Sequence, residues 1–251
     1  MTLQGKKLAL VALILAALAG LGYARIGETG VDMTKAAEAF VQTLSPQQRG
    51  VAILPYETSE RTDWHYIPKP KRKGLQVKDM DAAQRKAAFD LLASALSAAG
   101  YGKATKIMQL ESILHELEKS RAGGPIRDPQ RYFFTVFGNP GAKDRWGLSV
   151  EGHHLSLNFV VLEGKVTSST PTFFGANPAT LREDYGAEFQ KGLSVLRNEE
   201  QLAFDLLASL SPEQRKVAVV ADKAPNDVRN AGSASPPLSM AVGLPVPARE
   251  Q

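Results

Sequence analysis

The feature that most constrains the fold is a change of residue type in the middle of the chain. Residues 132 to 170 are rich in aromatic and β-branched side chains, and turn-forming residues interrupt them at 138 to 141 and at Glu163-Gly164. Such runs, separated by glycine, proline and asparagine, are typical of strands joined by tight turns. We therefore predict a small antiparallel sheet over about residues 131 to 170.

Helical patterns lie on both sides of this predicted sheet. Three segments carry a capping residue followed three positions later by glutamine, which is the capping box that opens an α-helix. The pairs are Ser45 with Gln48, Asp81 with Gln84, and Ser211 with Gln214. Apolar residues at helical spacing predict further helices over residues 104 to 121 and 198 to 210. Since helices flank the sheet rather than alternate with its strands, we predict an α+β fold with the sheet packed against several helices.

The N-terminal segment is typical of a signal peptide. Lys6 and Lys7 precede an apolar run over residues 8 to 22, and small residues follow. We therefore predict that residues 1 to 24 are a cleaved signal and that the protein is exported to the periplasm or the extracellular space. The apolar run is shorter than the ~20 residues of a spanning helix, which predicts no stable membrane span after cleavage. Retention of the segment as an uncleaved anchor is the alternative.

Composition narrows the possible partners of the rest of the chain. We expect residues 25 to 220 to form a single domain and the Pro-, Ala- and Gly-rich residues 221 to 251 to be a tail that is disordered or cut short. The formal charge of +4 falls to +2 without residues 1 to 24, which contain two lysines and no acid. This balance predicts no nucleic-acid partner. The one basic cluster, at residues 69 to 73, predicts a solvated loop, with phosphate binding as a minor alternative. The absence of cysteine excludes disulfides and thiol chemistry.

Two adjacent histidines mark the candidate site. His153 and His154 are half of the chain's four histidines and lie in a strand-forming run. Along one strand their side chains would point to opposite faces, with His154 beside Ser156 and Asn158, unless Gly152 introduces a bulge. A site that uses this pair therefore requires residues from a second element.

The predicted helix over residues 104 to 121 supplies such residues. Glu111 and His115 lie four positions apart and therefore share one helix face. His153, His154, Glu111 and His115 are the predicted metal ligands, because imidazole and carboxylate together suit a divalent transition metal such as zinc, copper or iron. The sequence thus predicts a metal site between the helix and the sheet.

Other functions fit the same residues. In acid–base catalysis without a metal, His154 would exchange the proton, Glu111 or Glu151 would be its partner, and Asn158 would orient a substrate or a ring. The pattern is consistent with a metal-dependent or acid–base hydrolase-like enzyme. The alternative is a non-catalytic periplasmic or extracellular binding module, in which the histidine pair is structural and the ligand is a small molecule or a polymer. Whether the chain is an enzyme stays open at this stage.

Several short motifs add a resemblance. They are Gly100-Tyr-Gly-Lys-Ala104, Arg127-Asp-Pro-Gln-Arg-Tyr132, Phe137-Gly-Asn-Pro140, Glu151-Gly-His-His-Leu-Ser-Leu-Asn158 and Phe174-Gly-Ala-Asn-Pro178. Together they resemble the DUF3500 family, exported proteins of unknown function, over most of residues 60 to 220. Many members of that family continue beyond this length with a His-x-His segment. The resemblance therefore implies a short or C-terminally truncated member.

Overall fold

A computed structural model of the protein describes residues 29–120, 123–141, 143–224 and 226–228. The predicted signal peptide and most of the predicted tail lie outside these residues. Residues 29 to 43 are helical and are named α1. The elements that follow are α2 (Pro46–Ala52), β1 (Ile53–Leu54), β2 (Leu75–Gln76), α3 (Ala82–Ala95), α4 (Ala98–Glu118), β3 (Phe133–Phe137), β4 (Arg145–Gly152), β5 (Leu155–Leu162), β6 (Lys165–Ser168), β7 (Thr172–Phe174), α5 (Arg197–Ser209) and α6 (Pro212–Ala218).

The strands form one mixed sheet in the order β1-β3-β4-β5-β6. Two short strands lie off this path: β2 pairs with β3, and β7 pairs with β5. All pairs are antiparallel except that of β1 with β3, which is parallel. The α+β prediction is confirmed, and the structure adds β1, β2 and β7 outside the predicted span.

The two faces of the sheet differ in chemistry because side chains alternate along each strand. Phe134, Val150 and Leu157 lie side by side in the strand register and belong to the apolar core that α1, α3 and α4 complete. On the other face, Ser149 of β4 lies opposite Asn158 of β5, and both are buried. One face therefore builds the core, whereas the other buries polar groups beneath the segment that precedes β2.

Capping residues determine where the helices begin. Ser45, Asp81 and Ser211 each accept a hydrogen bond from the main-chain N–H of the glutamine three positions on, and the glutamine side chain bonds back in each case. These three capping boxes confirm the predicted starts. The predicted helix over residues 104 to 121 begins earlier, at Ala98, because Ser97 caps it, and it ends at Glu118. Among the described residues, no helix has the length and apolarity needed to cross a membrane.

Candidate functional site

The histidine pair forms the turn of a hairpin rather than part of a strand. Gly152, the last residue of β4, pairs with Leu155, the first of β5, so His153 and His154 are the two residues between them. Their ring centroids lie 3.9 Å apart. The prediction that the two side chains point to opposite faces was wrong, because the period of two holds only while the chain stays extended.

His154 has an unusual backbone conformation that is fixed from both sides. Its φ is +60°, in the left-handed region that few residues other than glycine adopt. Its N–H donates to the carbonyl of Tyr66 at 2.8 Å, and its carbonyl accepts from the N–H of Gly175 at 2.8 Å. A Cβ at Gly175 would lie 2.8 Å from His154 Nδ1, so the β7 end of the sheet closes tightly over the ring. The hairpin turn is held rigidly.

Burial sets the charge of the His154 ring. Desolvation, reinforced by His153 and Arg127, lowers its pKa from 6.5 to about 4. The ring of Tyr66 stacks on it with centroids 6.4 Å apart, and Phe173 stacks on Tyr66 at 4.3 Å. His154 is therefore a neutral ring at neutral pH.

His153 makes the closest polar contact of the site. Its Nδ1 lies 2.5 Å from Oε1 of Glu111, which α4 presents toward the hairpin. Both side chains are almost fully buried. Because a carboxylate accepts hydrogen bonds, Nδ1 carries the ring proton and donates it to Glu111, and the lone pair is on Nε2. Glu111 therefore fixes both the tautomer and the orientation of His153, and we name this hydrogen-bonded pair, His153 and Glu111, the dyad.

Arg127 is the third member of this cluster. Its Nη1 lies 3.0 Å from Nδ1 and 3.4 Å from Nε2 of His153. Since Nδ1 already donates to Glu111, the guanidinium can donate only to Nε2, across the longer distance. Glu118, two helical turns beyond Glu111 on α4, holds Arg127 through contacts of 2.8 and 3.3 Å. The helix thus supplies one carboxylate to the imidazole and another to the guanidinium.

Tyr132 joins the hairpin to the helix from the other side. Its hydroxyl donates to the carbonyl of His153 at 2.8 Å. Its ring lies against Gly152, where an added Cβ would be 2.2 Å from a ring carbon. Burial, and then the charge of Glu111, raise the pKa of the Tyr132 hydroxyl well above its ordinary value. The glycine before the histidine pair is therefore required by close packing, not by a bulge.

The cluster opens into a cavity of about 370 Å³, which we name the dyad cavity. Its lining residues are Pro68, Lys69, Pro70, Arg72, Glu111, Gly123, Gly124, Pro125, Ile126, Arg131, Tyr132 and His153. Residues 124 to 126 also border a second cavity of about 620 Å³ that is lined by His115, Glu118 and Arg127. The dyad cavity has the size of a small-molecule site, and three of its side chains are cationic.

The basic cluster at residues 69 to 73 is only partly solvated, which corrects the prediction of a solvated loop. Arg72 and Lys73 are buried, and they contact the Glu151 carboxylate at 3.5 and 3.0 Å. Arg72 also donates to the carbonyls of His65 and Gly152 at 2.7 and 3.2 Å. Burial lowers the pKa of Arg72, and Glu151 acts in the opposite direction. This cluster clamps the loop over the polar face of the sheet.

Asn158 lies in the polar network of the sheet rather than beside the dyad. Its Nδ2 donates to Ser156 Oγ at 3.1 Å and to the Pro171 carbonyl at 3.0 Å, and Ser156 donates to Glu151 at 3.4 Å. Within the described residues, the buried Oδ1 of Asn158 has no hydrogen-bond partner. The structure therefore does not join Asn158 to Glu111 or to either histidine through a hydrogen bond.

The four predicted metal ligands are only partly brought together. Glu111 and His153 are in contact and His154 packs on His153, whereas His115 is exposed and lines the second cavity. In the described part of the chain, no three side chains among His, Cys, Asp and Glu converge with the geometry of a metal site. The geometry favours a hydrogen-bonded dyad over the predicted four-ligand set.

Sequence reasoning gave no role to Arg127 or Tyr132. Both belong to the motif Arg127-Asp-Pro-Gln-Arg-Tyr132, which carried part of the family resemblance but no periodicity or ligand spacing. It also gave no function to Arg131, and it gave the cluster that contains Lys69 phosphate binding only as a minor alternative to a solvated loop. Their proximity to His153 depends on tertiary packing, and the motif itself was the available signal.

Comparison with known proteins gives one match. The family model described as a protein of unknown function (DUF3500) matches residues 27–248, which is nearly the whole chain. No curated protein and no solved structure matches the chain significantly. The family is thus established without an activity attached to it. The chain belongs to the DUF3500 family.

Proposed function

We propose that this protein is an acid–base enzyme in which His153 exchanges a proton with a small anionic substrate in the dyad cavity. The observation that carries the proposal is the 2.5 Å contact between His153 Nδ1 and Glu111 Oε1, at a ring that borders the cavity. An imidazole held by a carboxylate through one nitrogen presents the other to substrate, which is how acid–base histidines are oriented. Export of the protein remains part of the proposal.

The charge of the substrate is inferred from the cavity wall. Arg131 donates to the carbonyls of Pro70 and Lys69 at 2.9 and 3.5 Å, and carbonyls do not neutralise its charge. Among the described residues, no carboxylate forms an ion pair with Arg131. The Lys69 ammonium is 3.7 Å from the exposed Asp63 carboxylate, a distance typical of a weak surface pair. Both cations can therefore attract a carboxylate or a phosphate.

The chemistry that fits this arrangement is hydrolysis by general base and then general acid. Nε2 of His153 would take a proton from water while the water oxygen bonds to an acyl carbon or a phosphorus. The same proton then passes from Nε2 to the departing oxygen or nitrogen as its bond breaks. Glu111 accepts the Nδ1–H bond and holds the ring in place in both steps, and it stabilises the imidazolium that forms when Nε2 carries the proton, while His154 packs against the ring. Arg127 gives up its long contact to Nε2 when the proton arrives.

The test is a turnover assay with a panel of small carboxylate esters and phosphate monoesters, using the full chain. We expect His153→Gln to lower turnover about 100-fold or more, because general acid–base groups contribute roughly 10² to 10⁴. Glu111→Gln should lower it less, since the ring remains but loses its fixed tautomer. His115→Gln is the matched control, being exposed on the same helix, and should leave turnover unchanged. Equal turnover in the wild type and His153→Gln would overturn the proposal.

The non-catalytic binding module is the second candidate, and one observation favours it. Both backbone groups of His154 are bonded and its ring is stacked, so the pair contributes to the scaffold. This candidate predicts that inorganic phosphate or acetate shifts the NMR signals of the His153 ring without turnover of any ester. Arg131→Gln should abolish that shift under both candidates, whereas only the enzyme loses turnover through His153→Gln.

Metal content distinguishes the dyad from the predicted metal site. Elemental analysis of the purified protein should give the same metal content for the wild type, His153→Gln and His115→Gln if the dyad acts without a metal. Stoichiometric metal that is lost from His153→Gln would instead favour the predicted ligand set, with Glu111 and His153 as its centre. Cell fractionation tests export separately, since a protein retained in the cytoplasm would contradict that part alone.

A further inference from the structure

The chain contains the same helical unit twice. Residues 44 to 52 and 210 to 218 are identical at seven of nine positions. The backbone matches as well, because Ser45 and Ser211 both cap their helices with φ −64° and ψ 162°, and α2 and α6 are both seven residues long. Each unit places a longer helix before the cap, α1 in one case and α5 in the other. Sequence and geometry therefore describe two equivalent units.

The two units differ sharply in burial. Phe40 on α1 is fully buried and packs on Phe134 of the sheet, with ring centroids 6.1 Å apart. Leu206, at the corresponding position of α5, is 50% exposed. Gln48 of α2 exchanges hydrogen bonds with Gln84 of α3, at 3.0 and 2.8 Å. The first unit is thus covered by the sheet and by α3.

The helix α5 presents an apolar stripe that no other described element covers. Leu202, Phe204, Leu206 and Leu207 are 67%, 60%, 50% and 38% exposed, and no residue of α5 is buried. Leu202 and Leu206 lie four apart on one side of the helix, and Leu207 borders them, so these three leucines make up the stripe, whereas Phe204 lies on the other side of α5. Monomeric proteins rarely expose a contiguous apolar surface of this kind unless a partner covers it.

The charges beside the stripe identify the partner. Glu200 lies at the start of α5 beside Glu199, which already pairs with Lys103 of α4, and Arg215 and Lys216 lie in α6 just beyond the end of α5. When two such units pack antiparallel about a two-fold axis, the acidic start of one helix faces the basic α6 of the other. The same axis opposes the two helix dipoles and places each apolar stripe on an identical one.

We infer that α5 and α6 form the interface of a homodimer, in which the α5 stripes of two copies pack antiparallel. The apolar stripe of one copy can pack on the identical stripe of a second copy. The surface of this chain against which such a helical unit packs is already occupied by α1 and α2. The interface is independent of the dyad cavity, so the proposed function and the dimer can fail separately. The partner surface of α1 lies in its own chain, whereas for α5 the described residues contain no such surface, and we assign that role to a second molecule.

Sedimentation equilibrium of the full chain over a range of concentrations tests the dimer. We expect a monomer–dimer equilibrium for the wild type and an increase in dissociation constant of about 100-fold or more for Leu206→Glu, which places a charge on each side of the axis. Leu117→Glu is the matched control, because Leu117 is a 52% exposed leucine on α4, and should leave the constant unchanged. Circular dichroism checks that both variants fold.

A charge exchange tests the antiparallel arrangement. Glu200→Lys should weaken association, and the double variant Glu200→Lys with Lys216→Glu should restore it. A wild type that is monomeric at all concentrations overturns the inference, as does a dimer that Leu206→Glu leaves intact. A dimer that is lost in Leu206→Glu but not restored by the exchange would contradict the antiparallel geometry.

Discussion

The two turns that flank β5 have the same length and different chemistry. Glu163 and Gly164 join β5 to β6 with φ of +50° and +69°, and Glu163 is exposed. His153 and His154 join β4 to β5, and only His154 has a positive φ. The first turn has a glycine where the chain needs one, whereas the second has a histidine in a left-handed conformation.

This difference indicates that the β4–β5 hairpin, which His153 and His154 form, serves more than chain reversal. A non-glycine residue in the left-handed region costs roughly 1–2 kcal/mol. The Glu163–Gly164 turn carries that cost at one exposed non-glycine residue, Glu163. At His154 the cost is offset by a buried ring, two main-chain hydrogen bonds and contact with His153. Residues with a strained backbone cluster at functional sites, and His154 has such a backbone next to the dyad.

The largest effect should come from Gly152→Ala, which breaks the hairpin that carries the dyad. The new Cβ would lie 2.2 Å from the ring of Tyr132, which is fully buried and cannot move aside. We expect the free energy of unfolding to fall by about 3 kcal/mol, as for an overpacked core. Denaturant unfolding measures it.

A matched glycine provides the control for that substitution. Gly102 lies within α4, where an added Cβ would meet no atom within 4 Å. Gly102→Ala should therefore leave stability unchanged or raise it by up to about 1 kcal/mol, because alanine favours helix. Equal stability losses in the two variants would mean that packing against Tyr132 does not define the hairpin.

The second largest effect should be a pH dependence of the free energy of unfolding. It arises from the β4–β5 turn, because that turn contains a histidine whose pKa is shifted and the Glu163–Gly164 turn contains none. In the unfolded chain His154 titrates near 6.5, and in the fold its pKa is lowered to about 4 by burial, then by His153 and Arg127. As pH falls from 6.5 to 4, the unfolded state binds a proton that the native state excludes, so stability is lost in that window. We expect a loss on the order of 2 kcal/mol after allowance for the ring's partial exposure.

Unfolding at pH 7.5 and pH 4 in the wild type and in His154→Asn measures this contribution. Asparagine does not titrate and tolerates the left-handed backbone, so the difference between the two pH profiles isolates the ring. Parallel profiles would show that His154 is not kept neutral by the fold.

Local signals in the sequence predicted the fold well. The three capping boxes, the 163–164 turn and the helix over residues 104 to 121 all rest on short-range chemistry, and the structure contains each of them. The short strands β1 and β2 escaped prediction, since two-residue strands have no periodicity and exist through pairing with β3. A local sequence pattern does not specify which strand a segment pairs with, or in which register.

The site was predicted in part for the same reason. Glu111 and His153 were candidates on residue type, and tertiary packing brings them to 2.5 Å. The prediction that His153 and His154 lie along one strand placed the two rings on opposite faces, because neither of these two turn residues is a glycine or an asparagine. Because few histidines adopt the left-handed conformation, the sequence pattern did not predict a hairpin turn at His154. The same residue therefore limited the prediction and marks the site.

One substitution placed in both turns gives the smallest effect and sharpens the comparison most. Glu163→Asn should raise the free energy of unfolding by about 0.5 kcal/mol, because Asn-Gly suits a two-residue turn with both φ values positive. His154→Asn improves the backbone in the same way but removes the ring that packs on His153, so at pH 7.5 it should lower stability by about 1 kcal/mol. Denaturant unfolding of both variants should give changes of opposite sign. If both variants raise the free energy of unfolding, the His154 ring does not stabilise the fold. Its contact with His153 of the dyad would then be the reason for a histidine at this strained position.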